Sequence, residues 1–93
     1  MVKNLYSKAM EVYSVQVEYE GNRPSDNYSS HTLWATMEGA KAALKSERDD
    51  ILNKPGWSLD SIETDEEDHF FAYENGDFYE SYEITITKET VYE

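Results

Sequence analysis

The side chains of this sequence that could do chemistry are few: two histidines, His31 and His69, and a crowd of carboxylates. Neither histidine belongs to an HxH, HxxxH or HExxH pattern, the spacings that bring two imidazoles onto one metal. His69 follows Asp65, Glu67 and Asp68, a group that could hold a divalent cation. The plainer reading is an acidic turn beside an exposed imidazole. Asp65 to Asp68 lacks the glycine and the bidentate glutamate of an EF-hand loop. No serine sits in a G-x-S-x-G elbow, and Gly21-Asn22-Arg23-Pro24 lacks the glycine pattern that cradles a phosphate. The chain has no cysteine, which excludes disulfides, zinc–thiolate sites, iron–sulfur clusters and thiol nucleophiles. Paired carboxylates do acid–base work only in a cleft that drives their pKa values apart, and 93 residues rarely build one. The sequence therefore predicts a protein that is not an enzyme and uses no cofactor or metal.

The carboxylates are unevenly placed. The chain carries 20 acids against 8 bases, a formal charge of −12. Residues 1–56 hold eight acids and seven bases, a net of −1; residues 57–93 hold twelve acids and only Lys88, a net of −11. Asymmetry of this kind speaks to partners and not to fold. It argues against direct binding to nucleic acid or an anionic membrane, both of which carry their own negative field.

The elements that must position these groups form one domain. Residues 1–10 show no period and read as an N-terminal arm; residues 11–93 read as a single α+β domain. In Glu11 to Glu20, Tyr13, Val15, Val17 and Tyr19 alternate with Ser14, Gln16, Glu18 and Glu20, the signature of a half-buried strand. A polar loop leads to a second strand, Tyr28 to Ala35. Thr36 then looks like an N-cap for a helix whose apolar stripe is Met37, Ala40, Ala43, Leu44 and Ile51. Lys41, Lys45 and Arg48 form a basic row on its outer side, read as a solvated face paired with nearby acids such as Glu38. Pro55 and Gly56 end it. Trp57 to Thr64 reads as a third strand, in which Trp57, Leu59 and Ile62 break strict alternation and suggest a bulge or an edge. Asp65 to Asp68 reads as an acidic turn. His69–Tyr73 and Phe78–Thr87 flank Asn75-Gly76, a strong type I′ hairpin signal. The order is β-β-α-β-β-β, an antiparallel sheet of about five strands packed on one helix.

A two-residue turn at Asn75-Gly76 puts Phe71, Tyr73, Phe78, Tyr82, Ile84 and Ile86 against the helix. Phe70, Glu74, Asp77, Tyr79, Glu83 and Thr85 then face outward. Together with the flanking acids this defines a candidate partner-binding surface: Asp60, Glu63, Asp65, Glu66, Glu67, Asp68, Phe70, Glu74, Asp77, Tyr79, Glu80 and Glu83. Same-face strand positions lie roughly 6.6–6.8 Å apart and neighbouring strands about 4.8 Å. Carboxylates on such a face approach, less densely, the one charge per roughly 1.7 Å of axis that DNA presents. A complementary field would steer the face into a Lys/Arg-lined groove, and Phe70 and Tyr79 would add apolar anchoring.

In size, charge and architecture the chain resembles the small acidic phage-encoded inhibitors of bacterial defence, anti-CRISPR proteins and other DNA mimics. The β-β-α opening, with Val15-Gln16-Val17-Glu18-Tyr19 and the helix entry Trp34-Ala35-Thr36-Met37-Glu38-Gly39-Ala40-Lys41, is also similar to that of many small phage and bacterial proteins. The resemblance implies a partner with a basic nucleic-acid-binding surface, such as a CRISPR effector nuclease, met in the host cytoplasm. A second reading is a homo-oligomeric structural or regulatory protein, its lysine row meeting the acidic sheet of a neighbour.

Overall fold

The computed structural model describes residues 9–75 and 79–92. Five strands and one helix follow in the expected order: β1 (Ala9–Glu20), β2 (Tyr28–Trp34), α1 (Met37–Leu52), β3 (Ile62–Glu66), β4 (His69–Asn75) and β5 (Tyr79–Tyr92). The sheet is antiparallel throughout, with strand order β2-β1-β5-β4-β3. β1 and β5, the two longest strands, pair over twelve residues at its centre. Ala9 and Met10, the last two residues of the expected arm, belong to β1.

One helix can cover only one side of this sheet. Thr36 caps it as expected, its Oγ1 accepting from Gly39 N–H at 3.0 Å, and Gly56 after its end takes the left-handed φ of +89°. Ala40, Leu44 and Ile51 are buried and Ala43 packs partly against the core. Beneath them lie Val15 and Val17 of β1, Ile84 and Tyr82 of β5, and Phe70 and Ala72 of β4. Trp57 closes one end, edge-on to Tyr82 at 5.3 Å. β2 is exposed along its whole length.

Two expectations are corrected. Trp57 to Thr64 is not one strand: Ser58 accepts from Asp60 N–H and caps a short 3-10 turn over Leu59–Ser61, and β3 starts only at Ile62. The anticipated irregularity survives as a register shift between Ile62 and Thr64. The second correction concerns register. β4 and β5 pair Asn75 with Tyr79, Tyr73 with Ser81, Ala72 with Tyr82 and Phe70 with Ile84. A two-residue turn would instead have opposed Tyr73 to Phe78. Moving the register by one residue turns every side chain of a strand over. Phe70, expected outside, is therefore a fully buried core residue, and Phe71 and Tyr73, expected inside, lie on the other face. Glu74 goes with Phe70 to the helix side. Gly76, Asp77 and Phe78, and with them the expected Asn75-Gly76 turn, lie outside the described residues.

Candidate functional site

The pairing registers sort every strand residue onto the helix side or the open side. On the open side β1 presents Gln16, Glu18 and Glu20; β5 presents Ser81, Glu83, Thr85 and Glu89; β4 presents His69, Phe71 and Tyr73; Glu66 ends β3. Glu18 stands directly opposite Glu83, and Glu20 opposite Ser81. Like charges in such a cross-strand pair oppose folding. Gln16 Nε2 donates to Glu18 at 3.2 Å, and His69 Nε2 lies 2.7 Å from Glu83 Oε2. Beside these acids runs an aromatic strip. Phe71 and Tyr73 have ring centroids 6.0 Å apart, and Tyr73 stacks on Tyr79 at 6.1 Å. Tyr73 and Tyr79 are each 38% exposed.

A shallow groove of about 420 Å³ crosses this face from Ser29 of β2, past Glu18 and Glu20 of β1 and Glu83 of β5, to Phe71 of β4. Ser81, whose side chain is small enough to be buried between Glu20 and Tyr73, forms its floor. Five carboxylates occupy the open side (Glu18, Glu20, Glu66, Glu83 and Glu89), and among the described residues no lysine or arginine does. His31 and His69 are the imidazoles there.

Among the described residues the lysines and arginines lie elsewhere and most are engaged. Arg48 grips Asp65 with two hydrogen bonds, 2.8 and 2.7 Å, reaches Asp49 at 3.0 Å, and lies over the Phe70 ring at 6.0 Å. The bonds to Asp65 hold its guanidinium above the usual arginine range. Lys41 pairs with Glu67 at 2.9 Å and is likewise raised; Lys45 pairs with Asp49 at 2.8 Å and lowers that carboxyl. The basic row is solvated and paired as expected, but its acids come mostly from β3 and the turn after it rather than from Glu38. Each lysine and the arginine of the row has a carboxylate partner within its own molecule.

The anticipated acidic cluster is thus dispersed. Asp65 and Glu67 are tied to α1. Glu74, on the helix side, accepts from the Ser61 hydroxyl, and Glu80 accepts from the Tyr19 hydroxyl at 2.6 Å. That bond, first among several causes, pushes the Tyr19 phenol up to about 12, while burial raises Tyr82 further. Asp60 and Glu63 are exposed around the 3-10 turn and the β3 irregularity, and Asp68 lies in the β3–β4 turn with Glu67. Of the twelve expected residues only Glu66, Tyr79 and Glu83 share the open face; Asp77 lies outside the described residues. Asp65, Glu67 and His69 each have a different partner, and among the described residues no three His, Asp or Glu side chains converge as metal ligands.

Glu18, Glu20, Phe71 and Tyr73 were not expected at the site. The alternation of β1 already put both glutamates on an outward face, but only the register of β4 on β5 shows which aromatics accompany them. No family model, curated protein sequence or solved structure matches the chain. No helix among the described residues is long and apolar enough to cross a membrane.

Proposed function

We propose that the chain is a non-enzymatic binding protein that occupies a basic, nucleic-acid-binding surface of a partner protein, in the manner of anti-CRISPR and other DNA-mimic inhibitors. The contact is the open face of the sheet, centred on Glu18, Glu20 and Glu83, with Phe71, Tyr73 and Tyr79 beside them. The observation that carries the reading is the segregation of charge: among the described residues, five carboxylates and no lysine or arginine lie on the side of the sheet that α1 does not cover. Opposing Glu18 to Glu83 costs folding stability, and a guanidinium or ammonium group placed between them relieves that repulsion. The aromatic strip supplies area on which an arginine side chain can stack. Carboxylates would steer the encounter and the aromatics would lengthen it.

An oligoarginine peptide is a suitable probe, its binding measured by calorimetry at about 50 and about 300 mM salt. Affinity should fall as salt rises, through screening of the ion pairs. The variant Glu18→Gln/Glu20→Gln/Glu83→Gln should bind roughly 10- to 150-fold more weakly, taking ~0.5–1 kcal/mol for each exposed ion pair. The control Glu38→Gln/Glu47→Gln/Asp50→Gln removes the same charge from exposed positions of α1 and should bind within about threefold of the parent. Equal losses in the two variants would mean that net charge, and not this face, does the binding.

A further inference from the structure

β1 and β5 run past the rest of the sheet. β2 ends opposite Tyr13 and β4 begins opposite Thr85, so Ala9–Val12 and Glu89–Tyr92 form a two-stranded ribbon. Among the described residues no strand pairs with the outer flank of β5 from Thr87 onward. The direction of its backbone is known: Ile86 N–H donates to the Asp68 carbonyl, on the β4 side. The β1–β5 register is unbroken from Ser81 to Tyr92, so the alternation continues. Lys88, Thr90 and Tyr92 therefore aim their N–H and C=O groups at the free flank. Unpaired groups of this kind template another strand.

The geometry points to a second copy of this chain as the occupant, its Lys88–Tyr92 segment paired antiparallel with the same segment across a two-fold axis through Thr90. A two-fold axis normal to a sheet must set one residue against itself. Centring on Lys88 opposes two ammonium groups, and centring on Glu89 opposes two carboxylates, both unfavourable. Centring on Thr90 opposes threonine to threonine, Glu89 to Val91 of the second copy, and Lys88 to its Tyr92. The Thr90 pair and both Lys88–Tyr92 pairs then exchange two backbone hydrogen bonds each, so every outward-pointing group from Lys88 to Tyr92 finds a partner. Apolar surface is available beside the seam: Val91 is 44% exposed, Tyr92 70%, and Met10, which faces Val91 on β1, 51%. Lys88 is held to Glu11 at 3.1 Å, so it lies along its own ribbon and does not project as a guard against pairing. This contact uses the strand flank and leaves the acidic open face free, so it stands apart from the function proposed above.

Sedimentation equilibrium from low micromolar to millimolar protein should show the mass rising from 10.8 kDa toward twice that value. Added salt should strengthen the dimer, because each copy carries −12. Thr90→Pro removes the central N–H on the flank that β1 does not use, where an edge strand tolerates proline; it should weaken the dimer at least tenfold. The chain has no cysteine, so Thr90→Cys gives a single-thiol variant that does not depend on proline being accepted. Opposed residues of a hydrogen-bonded pair have Cα atoms about 5.5 Å apart, within disulfide reach. Thr90→Cys should oxidise to a covalent dimer, and Ser46→Cys on α1 should not. A mass of 10.8 kDa at every concentration overturns the proposal. So does a dimer that Thr90→Pro leaves intact, or one in which Thr90→Cys cross-links no faster than Ser46→Cys.

Discussion

Phe70 and Phe71 are neighbours in the chain and lie on opposite sides of the sheet, so they offer a sharp test of the register. Phe70 is fully buried beneath α1, opposite Ile84, with the Arg48 guanidinium over its ring. Truncating a phenylalanine in such a site costs about 3–5 kcal/mol, through lost burial and the cavity left behind. Small domains have only ~5–15 kcal/mol in total. Phe71, on the open face and half-buried, has Tyr73 beside it at 6.0 Å and Thr64 and Glu83 across from it. Its loss should cost about 1 kcal/mol, the scale of a cross-strand aromatic contact. Urea unfolding separates the two. At a slope of roughly 2 kcal/mol/M, Phe70→Ala should lower the midpoint by about 2 M and Phe71→Ala by about 0.5 M. The register that a two-residue Asn75-Gly76 turn would impose, shifted by three residues and so of opposite parity, reverses the order. Equal losses, or a larger loss for Phe71→Ala, would refute the placement and with it the composition of the open face.

Two further outcomes follow from the contacts. A double-mutant cycle with Arg48→Met and Asp65→Asn should give a coupling of about 1–2 kcal/mol, because the bond is two-pronged and partly shielded; a value below roughly 0.3 kcal/mol would mean that the pair is an ordinary surface contact. In alkali, Tyr19 and Tyr82 should ionise after the exposed tyrosines. Their folded pKa values are raised, so their contribution to stability is complete below about pH 10, the unfolded value, and is lost as pH rises through about 12 for Tyr19. Ultraviolet titration of Glu80→Gln should return one tyrosine toward the ordinary range; an unchanged titration curve would show that Glu80 does not hold the Tyr19 proton.

The helix and the central strands were legible because their patterns are unambiguous. Thr36 marks the start of α1, Ala40, Leu44 and Ile51 mark its inner stripe, and Val15 and Val17 alternate with polar residues. β4 was not legible in this way. Phe70, Phe71, Ala72 and Tyr73 are apolar at both parities, so periodicity cannot choose a face, and the choice fell to the turn. What decides it in the folded chain is packing: small Ala72 opposite Tyr82 leaves room for the Tyr82 and Trp57 rings, and Phe70 joins the buried core with Leu44 and Ile84. The acidic residues failed as a patch for a related reason. Asp65 and Glu67 are close to Glu66 in sequence, but Arg48 and Lys41 draw them toward α1, whereas Glu18 and Glu83 are far apart in sequence and adjacent in the sheet. Charge counting along a chain sees the first relation and not the second.

The central proposition is that a cationic partner sits on the open face. Amide chemical-shift mapping during titration with an oligoarginine peptide locates the contact directly. The largest shifts should fall on Glu18, Glu20, Phe71, Tyr73, Ser81 and Glu83. Shifts concentrated on Glu38, Glu47 and Asp50 of α1, or spread evenly over all exposed carboxylates, would contradict it.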